Sequence, residues 1–264
     1  MTVPPLSRDF LLQIGRDQDE SPRFCPNSGG TAHDDPVRSL LFVPADAPER
    51  FAAAGQFGAD AVVIDLADAV AEEAKDSARK AVRSWLEAAP HGTVWIRINP
   101  GERGHLDVHT VVGPAVAGVC AAGTASASQI AALSAVLAEA EDAHHLPVGS
   151  ITVAPVLDTA AAVLGAAEIA RAPRVSRLQL GEAALRTQLG VELGADEREL
   201  LFARSLVVLA SAAAGIAAPV APMSRPGVPL DDFRASTEAL RRLGFRGRAC
   251  TDPSHVTIIN EVFA

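Results

Sequence analysis

Eight short β-rich runs alternating with Ala-rich helical stretches, on a chain of 264 residues with no G-x-G-x-x-G after the first run, predict an α/β fold. The economical architecture is a single (β/α)8 TIM barrel. Strands separated by helices must run parallel, because each return crosses one face of the sheet, and eight such units at this length close on themselves. An open doubly wound sheet is the alternative, and the missing glycine fingerprint weighs against it.

The alternation begins near Arg38. Before it, residues 1–37 include "CPNSGGTAHDDP", which is dense in turn and breaker residues and has no sustained period. This stretch is expected to be an irregular N-terminal extension, with the barrel domain spanning 38–264. The first strand is "SLLFVP" from Ser39, followed by "PADAPERF". In that turn Asp46 stands either as a cap for the helix that Pro48 starts or as a substrate contact at the strand end. The second strand, "AVVIDL" from Ala61, carries Asp65 inside an apolar run, with Asp68 just beyond. Asp is a poor strand residue and costly to bury alone, so Asp65 needs a cationic or metal-bound partner.

A helix follows in "AEEAKDSARKAVRSWLEAA", where Ala74, Ala78, Ala81, Val82 and Trp85 recur at helical spacing. Lys75 and Arg79 on it, with Arg50, are basic residues near the barrel top that can meet an anionic ligand, and a solvated helix face explains Lys75 and Arg79 equally well. The third strand, "VWIRIN" from Val94, sets Arg97 between Ile96 and Ile98. A guanidinium there can hold a substrate carboxylate through two parallel hydrogen bonds, or pair with Asp65 on the neighbouring second strand, or do both. The fourth strand is "VAGVCA" from Val116 and the fifth "ITVAPVL" from Ile151. Asp158 ends the fifth, as a metal ligand or, on local pattern, as the N-cap of the following helix. The sixth, "RLQL" from Arg177, leads into "GEAALRTQLG" with Glu182. The apolar run from Leu206 to Met223 is broken by Gly215, Pro219 and Pro222, which fits a buried helix and a short strand, "APVAP" from Ala218, rather than a membrane span. "GRAC" from Gly247 is the eighth.

A net charge of −9 with no clustered Lys/Arg stripe excludes a nucleic-acid partner and points to a small molecule. Cys25, Cys120 and Cys250 are isolated, so neither a disulfide framework nor a zinc ribbon is expected, and the default compartment is cytoplasmic. The first residues lack the basic and apolar regions of a secretion signal. His105 and His109 are spaced to share a helix face, but no third metal ligand is in view. No G-x-S-x-G, P-loop or H-E-x-x-H occurs, and the absence of Tyr removes one common general acid.

Taken in order, "RSLLFVPADAPERF", "GADAVVIDLADAV", "KDSARKAV", "IRINP" and "GFRGRACTDPSHVTIINEVF" resemble the citrate lyase beta-subunit-like branch of the HpcH/HpaI aldolase superfamily. The resemblance runs from about Arg38 to the C-terminus. It implies an oligomeric barrel, often trimeric, and Mg²⁺-dependent cleavage or formation of a carbon–carbon bond in an acyl-CoA such as citryl-CoA or malyl-CoA. Arg97 matches the substrate-binding arginine of "RINP", and Asp65 and Asp68 match the outer acids of "DLEDAV", whose middle Glu is Ala67 here. The resemblance places the metal at Asp158, where the family has Glu, and at Ala184, where it has Asp. Glu182, two residues upstream of that vacant position, is the candidate substitute ligand. The family's "LPK-x-E" becomes "AAGTA", with Gly123 and Ala125 in place of Lys and Glu, and its "HP" becomes "DP" with Asp252 in place of His. With one of two carboxylates missing, metal affinity is expected to fall. Two functions follow: a carbon–carbon lyase with a weakened metal site, or a relative that binds an acyl-CoA or small carboxylate, or serves as an assembly subunit, without turnover.

Overall fold

The computed structural model describes residues 37–88, 90–194 and 196–264. The expected N-terminal extension thus lies outside the described residues, apart from Val37. Eight strands, β1 (Ser39–Pro44), β2 (Ala61–Asp65), β3 (Thr93–Ile98), β4 (Val116–Ala121), β5 (Thr152–Leu157), β6 (Gln179–Leu180), β7 (Val220–Ala221) and β8 (Gly247–Cys250), pair in parallel and in chain order into a closed barrel. Around it lie α1 (Phe51–Ala54), α2 (Lys75–Glu87), α3 (Glu102–Val111), α4 (Ala127–Ala143), α5 (Ala160–Leu164), α6 (Ala166–Ala170), α7 (Glu182–Leu189), α8 (Leu201–Ala214), α9 (Leu230–Leu243) and α10 (Ser254–Val262). No helix among the described residues is long and apolar enough to cross a membrane.

All eight expected strands form, but β6 and β7 are shorter than the runs that announce them. Pro219 and Pro222 flank Val220–Ala221, and a proline has no N–H to give to a ladder, so β7 ends at both sides. "RLQL" likewise contributes only Gln179–Leu180.

Strand periodicity sorts the core into two layers. Leu40, Phe42, Ala61, Val63, Trp95, Cys120, Ala154 and Val156 belong to one buried cluster, which fills the barrel. Their neighbours Leu41, Val43, Val62, Ile64, Ile96 and Leu157 belong to a second, shared with the helices. Counting in twos along the strands carries the inward phase to Asp65, Arg97 and Asp158 at the C-terminal ends. The same count places Leu180 in the helix-side layer.

The face of α2 departs from expectation. Lys75 and Arg79 are buried alongside Ala78, Val82 and Leu86, so they neither coat a solvated face nor reach out to a ligand. Lys75 Nζ donates to the carbonyls of Leu66 and Ala67 and to Asn99 Oδ1, at 2.8–2.9 Å. Arg79 Nε donates at 2.7 Å to Asp107, which is fully buried on α3. Two cations, with Asn99 and the Asp107 carboxylate, thus tie α2 to the exits of β2 and β3 and to α3.

Candidate functional site

Asp65 and Arg97 are register partners on β2 and β3, so both side chains leave the sheet on its inner face. Arg97 Nη1 donates to Asp65 Oδ2 at 2.9 Å and Nη2 to Asp68 Oδ2 at 2.5 Å. Asp65 Oδ1 also accepts the Ala67 N–H at 2.8 Å, which closes the turn that carries Asp68. Burial works against the Arg97 charge, but the two carboxylates outweigh it and raise its pKa. The two partners differ in exposure: the Asp65 side chain is 8% exposed and that of Asp68 is 84%. Asp65 is therefore a fixed counter-ion, whereas Asp68 is open to exchange with water or an incoming anion.

Across the mouth, the helix after β5 is capped by Thr159, whose hydroxyl accepts the Ala162 N–H at 3.1 Å. The cap expected of Asp158 is thus made by the next residue, and Asp158 is left free to face inward. Its Oδ2 accepts the Gly123 N–H at 3.1 Å, while its buried Oδ1 has no hydrogen-bond partner. Burial raises the Asp158 pKa, against the opposing pull of the Gly123 N–H and of Arg97. Gly181, the N-cap of α7, packs directly on this carboxylate: a Cβ there would lie 2.7 Å from Asp158 Cβ.

Glu182, the expected second ligand, has both oxygens occupied elsewhere. They accept from Arg204 Nε at 2.5 Å and Nη2 at 2.8 Å, and Arg204 Nη2 also reaches Glu197 at 2.7 Å. The reason is positional: Gly181 faces Asp158, so the next residue projects to the helix side, where the α8 arginine lies. Ala184 is exposed and supplies no donor. Among the described residues no group of three or more His, Cys, Asp or Glu side chains could hold a metal ion. The unpartnered Asp158 Oδ1 is one anionic donor, but the two-carboxylate Mg²⁺ site implied by the resemblance does not fit these residues.

Of the remaining candidates, Asp46 is exposed in the turn after β1, and it caps nothing: the short 3-10 turn Pro48–Arg50 starts from Ala47 without a side-chain bond. Asp252 accepts from the Ser254 N–H and hydroxyl at 2.9 and 2.8 Å, which holds its carboxyl below the usual range. His109 is half exposed, 4.0 Å from Glu139. Asn99 and Asp107 were missed by sequence reasoning. Asp107 Oδ2 accepts from both the backbone N–H and the side-chain amide of Asn99, at 2.7 Å each. The available signal was the placement of Lys75 and Arg79 on the apolar face of α2, which obliges buried partners.

An arginine bracketed by two carboxylates at the ends of β2 and β3, a lone inward carboxylate after β5, and an order of motifs to match: residues 38–253 correspond to HpcH/HpaI aldolase/citrate lyase. The chain belongs to this family. Citrate lyase subunit beta of Leuconostoc mesenteroides subsp. cremoris is 30% identical over 235 residues, covering 86% of this chain and 76% of that protein. A (3S)-malyl-CoA thioesterase of Cereibacter sphaeroides (strain ATCC 17025 / ATH 2.4.3) is 30% identical over 233 residues, covering 87% and 78%. The crystal structure of CitE from Mycobacterium tuberculosis in complex with magnesium, acetoacetate and coenzyme A superposes with a TM-score of 0.70 at 27% identity, covering 87% of this chain and 81% of that one. The family thus includes lyases and thioesterases.

Proposed function

We propose that this family member binds the carboxylate end of a short acyl-CoA of the citryl-CoA or malyl-CoA type, or the 2-oxo acid derived from it, and makes or breaks the carbon–carbon bond beside it. The observation that supports this is the state of Arg97. One nitrogen is anchored by buried Asp65, and the other is held only by exposed Asp68. A substrate carboxylate can displace Asp68 and take the outer nitrogen, while Asp65 keeps the guanidinium oriented and charged. Opposite, Asp158 after β5 would be the group to take a hydroxyl proton as the bond breaks. The CitE relative is in complex with magnesium. Here the cation would find one protein carboxylate, Asp158, and Glu182 holds Arg204 instead. Of the basic residues expected to meet the CoA end, Arg50 is exposed, whereas Lys75 and Arg79 are enclosed.

A second reading, binding without turnover, draws support from Ala184, Gly123 and Ala125, which leave the mouth with fewer functional groups than the motifs they replace. The test is calorimetric titration with acetoacetate and oxaloacetate, alongside lyase assays on citryl-CoA and malyl-CoA, for the native chain and for Arg97→Lys. Lysine lacks the planar fork that holds Asp65 on one nitrogen and the substrate on the other, so the substitution is expected to weaken binding tenfold or more, about 1.4 kcal/mol. Native binding without turnover favours the second reading, and equal affinity in Arg97→Lys rejects both.

A further inference from the structure

We infer that Gln179 is a specificity-determining residue of the lumen, whose amide reads the oxygen that a keto or hydroxy acid carries beyond its carboxylate. The inference rests on the reading of Arg97 as the carboxylate contact and adds a second point of recognition to it. Gln179 lies in β6 between Leu178 and Leu180, which both belong to the helix-side core. Its own side chain therefore points into the barrel. It is level with Val156 on β5 and Val220 on β7, and both of these belong to the cluster that fills the barrel.

The amide stands one layer beneath the mouth. Gly181 is the next inward position after Gln179, and a Cβ on Gly181 would lie 2.7 Å from Asp158 Cβ and 3.1 Å from Val156 Cγ1. Gln179, Gly181, Val156 and Asp158 thus make one patch of wall at the ends of β5 and β6. Asp158 in turn feels the charge of Arg97 across the lumen. An acid held at the outer nitrogen of Arg97 would extend its next carbons over this wall.

The fold itself makes no use of the amide. Gln179 is only 5% exposed, and its Oε1 is sealed in without a hydrogen-bond partner. Among the described residues Nε2 has no partner either, but it is not sealed in as Oε1 is. Arg177, the inward position below, does not fill the need: its Nη1 donates at 3.0 Å to the Val37 carbonyl, ahead of β1, at the opposite end of the barrel. Enclosing an unpaired amide among Val156 and Val220 costs stability that an apolar side chain would not. A ligand oxygen removes that cost. The amide is suited to it, because Nε2–H donates to a keto oxygen and, turned over, Oε1 accepts from a hydroxyl. It carries no charge, so it does not compete with Arg97 for the carboxylate. An acid of the same length without that oxygen leaves the amide unpaired, which is how a polar site rejects a deoxy analogue.

The test compares acetoacetate with butyrate by calorimetry on the full chain, with EDTA present and again with magnesium. The two acids differ only in the keto oxygen. The native chain should bind acetoacetate more tightly by about tenfold or more in EDTA, and Gln179→Met should remove most of that preference while leaving butyrate affinity unchanged. Because Oε1 has no partner to lose, the variant should melt no lower than the native chain. A lower melting temperature would show that the fold holds the amide, through a water to Arg177 for instance, and would overturn the inference. Arg97→Lys should weaken both acids alike. Binding of both acids through Arg97 with no preference for the keto acid, a preference that survives in Gln179→Met, or one that appears only with magnesium would overturn the inference and leave the reading of Arg97 standing. Failure of the native chain to bind either acid would overturn both.

Discussion

At the residue scale, the fate of a side chain follows from the direction its backbone gives it and the partner it then meets. Glu182 and Asp158 are both acidic residues at strand ends, yet one is bound through two oxygens to Arg204 and the other retains a bare oxygen. Glu182→Ala is expected to strand a buried guanidinium, with Glu197 as its remaining partner, and to cost about 3 kcal/mol. Thermal and urea unfolding measure that loss, and magnesium titration should show no matching change. Asp68 competes for the outer nitrogen of Arg97, so Asp68→Ala should leave acetoacetate affinity unchanged or tighter. A clear weakening by calorimetry would show that Asp68 holds substrate rather than its place.

Between elements, the tie beneath the mouth matters most. Lys75 of α2 fixes the two carbonyls that follow β2, and Asn99 and Asp107 join the β3 exit to α3. Lys75→Met keeps the volume of the stem and removes the ammonium, leaving the Leu66 carbonyl with the Asn99 amide and the Ala67 carbonyl with the Val70 N–H at 3.3 Å as its remaining donor. The turn bearing Asp68 should loosen, with a loss of about 1–3 kcal/mol on unfolding and weaker carboxylate binding. A solvated Lys75 would give no change in melting temperature. The sequence places α2 and its apolar face correctly but does not name the carbonyls that Lys75 reaches, because those lie on the previous strand exit. Strands β1 to β5 are legible as β-rich runs, whereas β6 and β7 contract to two residues each, β7 because its proline neighbours cannot enter a ladder.

Across the whole molecule, a buried ion pair connects α4 to the loop between α6 and β6, and the same carboxylate also holds the stretch that enters β5. Glu141 accepts from Arg174 at 2.7 and 2.9 Å and from the N–H groups of Gly149 and Ile151 at 2.8 Å each. Burial alone would raise its pKa, but Arg174 and the two N–H groups outweigh it and hold the carboxyl below its ordinary 4.5. The native state therefore binds this proton less readily than the unfolded chain. Its stabilisation is complete above about pH 4.5 and is lost as pH falls below that value toward the lowered folded pKa. Glu141→Gln should lower stability at neutral pH and flatten the acid limb of a stability–pH profile, as followed by urea midpoints from pH 3 to 7 (~0.5-unit steps). A limb of unchanged slope would assign the acid transition to other carboxylates.

The sequence by itself determined the barrel, the order of its elements and the strand ends where polar side chains would gather, because alternation and strand period are local properties of the chain. It also supplied the family's motifs and the vacancy at Ala184. Only the tertiary structure decided which of those polar groups face the lumen and which are already paired. Arg204 lies 22 residues from Glu182, and Lys75 lies 24 from Asn99. Burial makes each of these groups take a partner, and closure of the barrel decides which one is near.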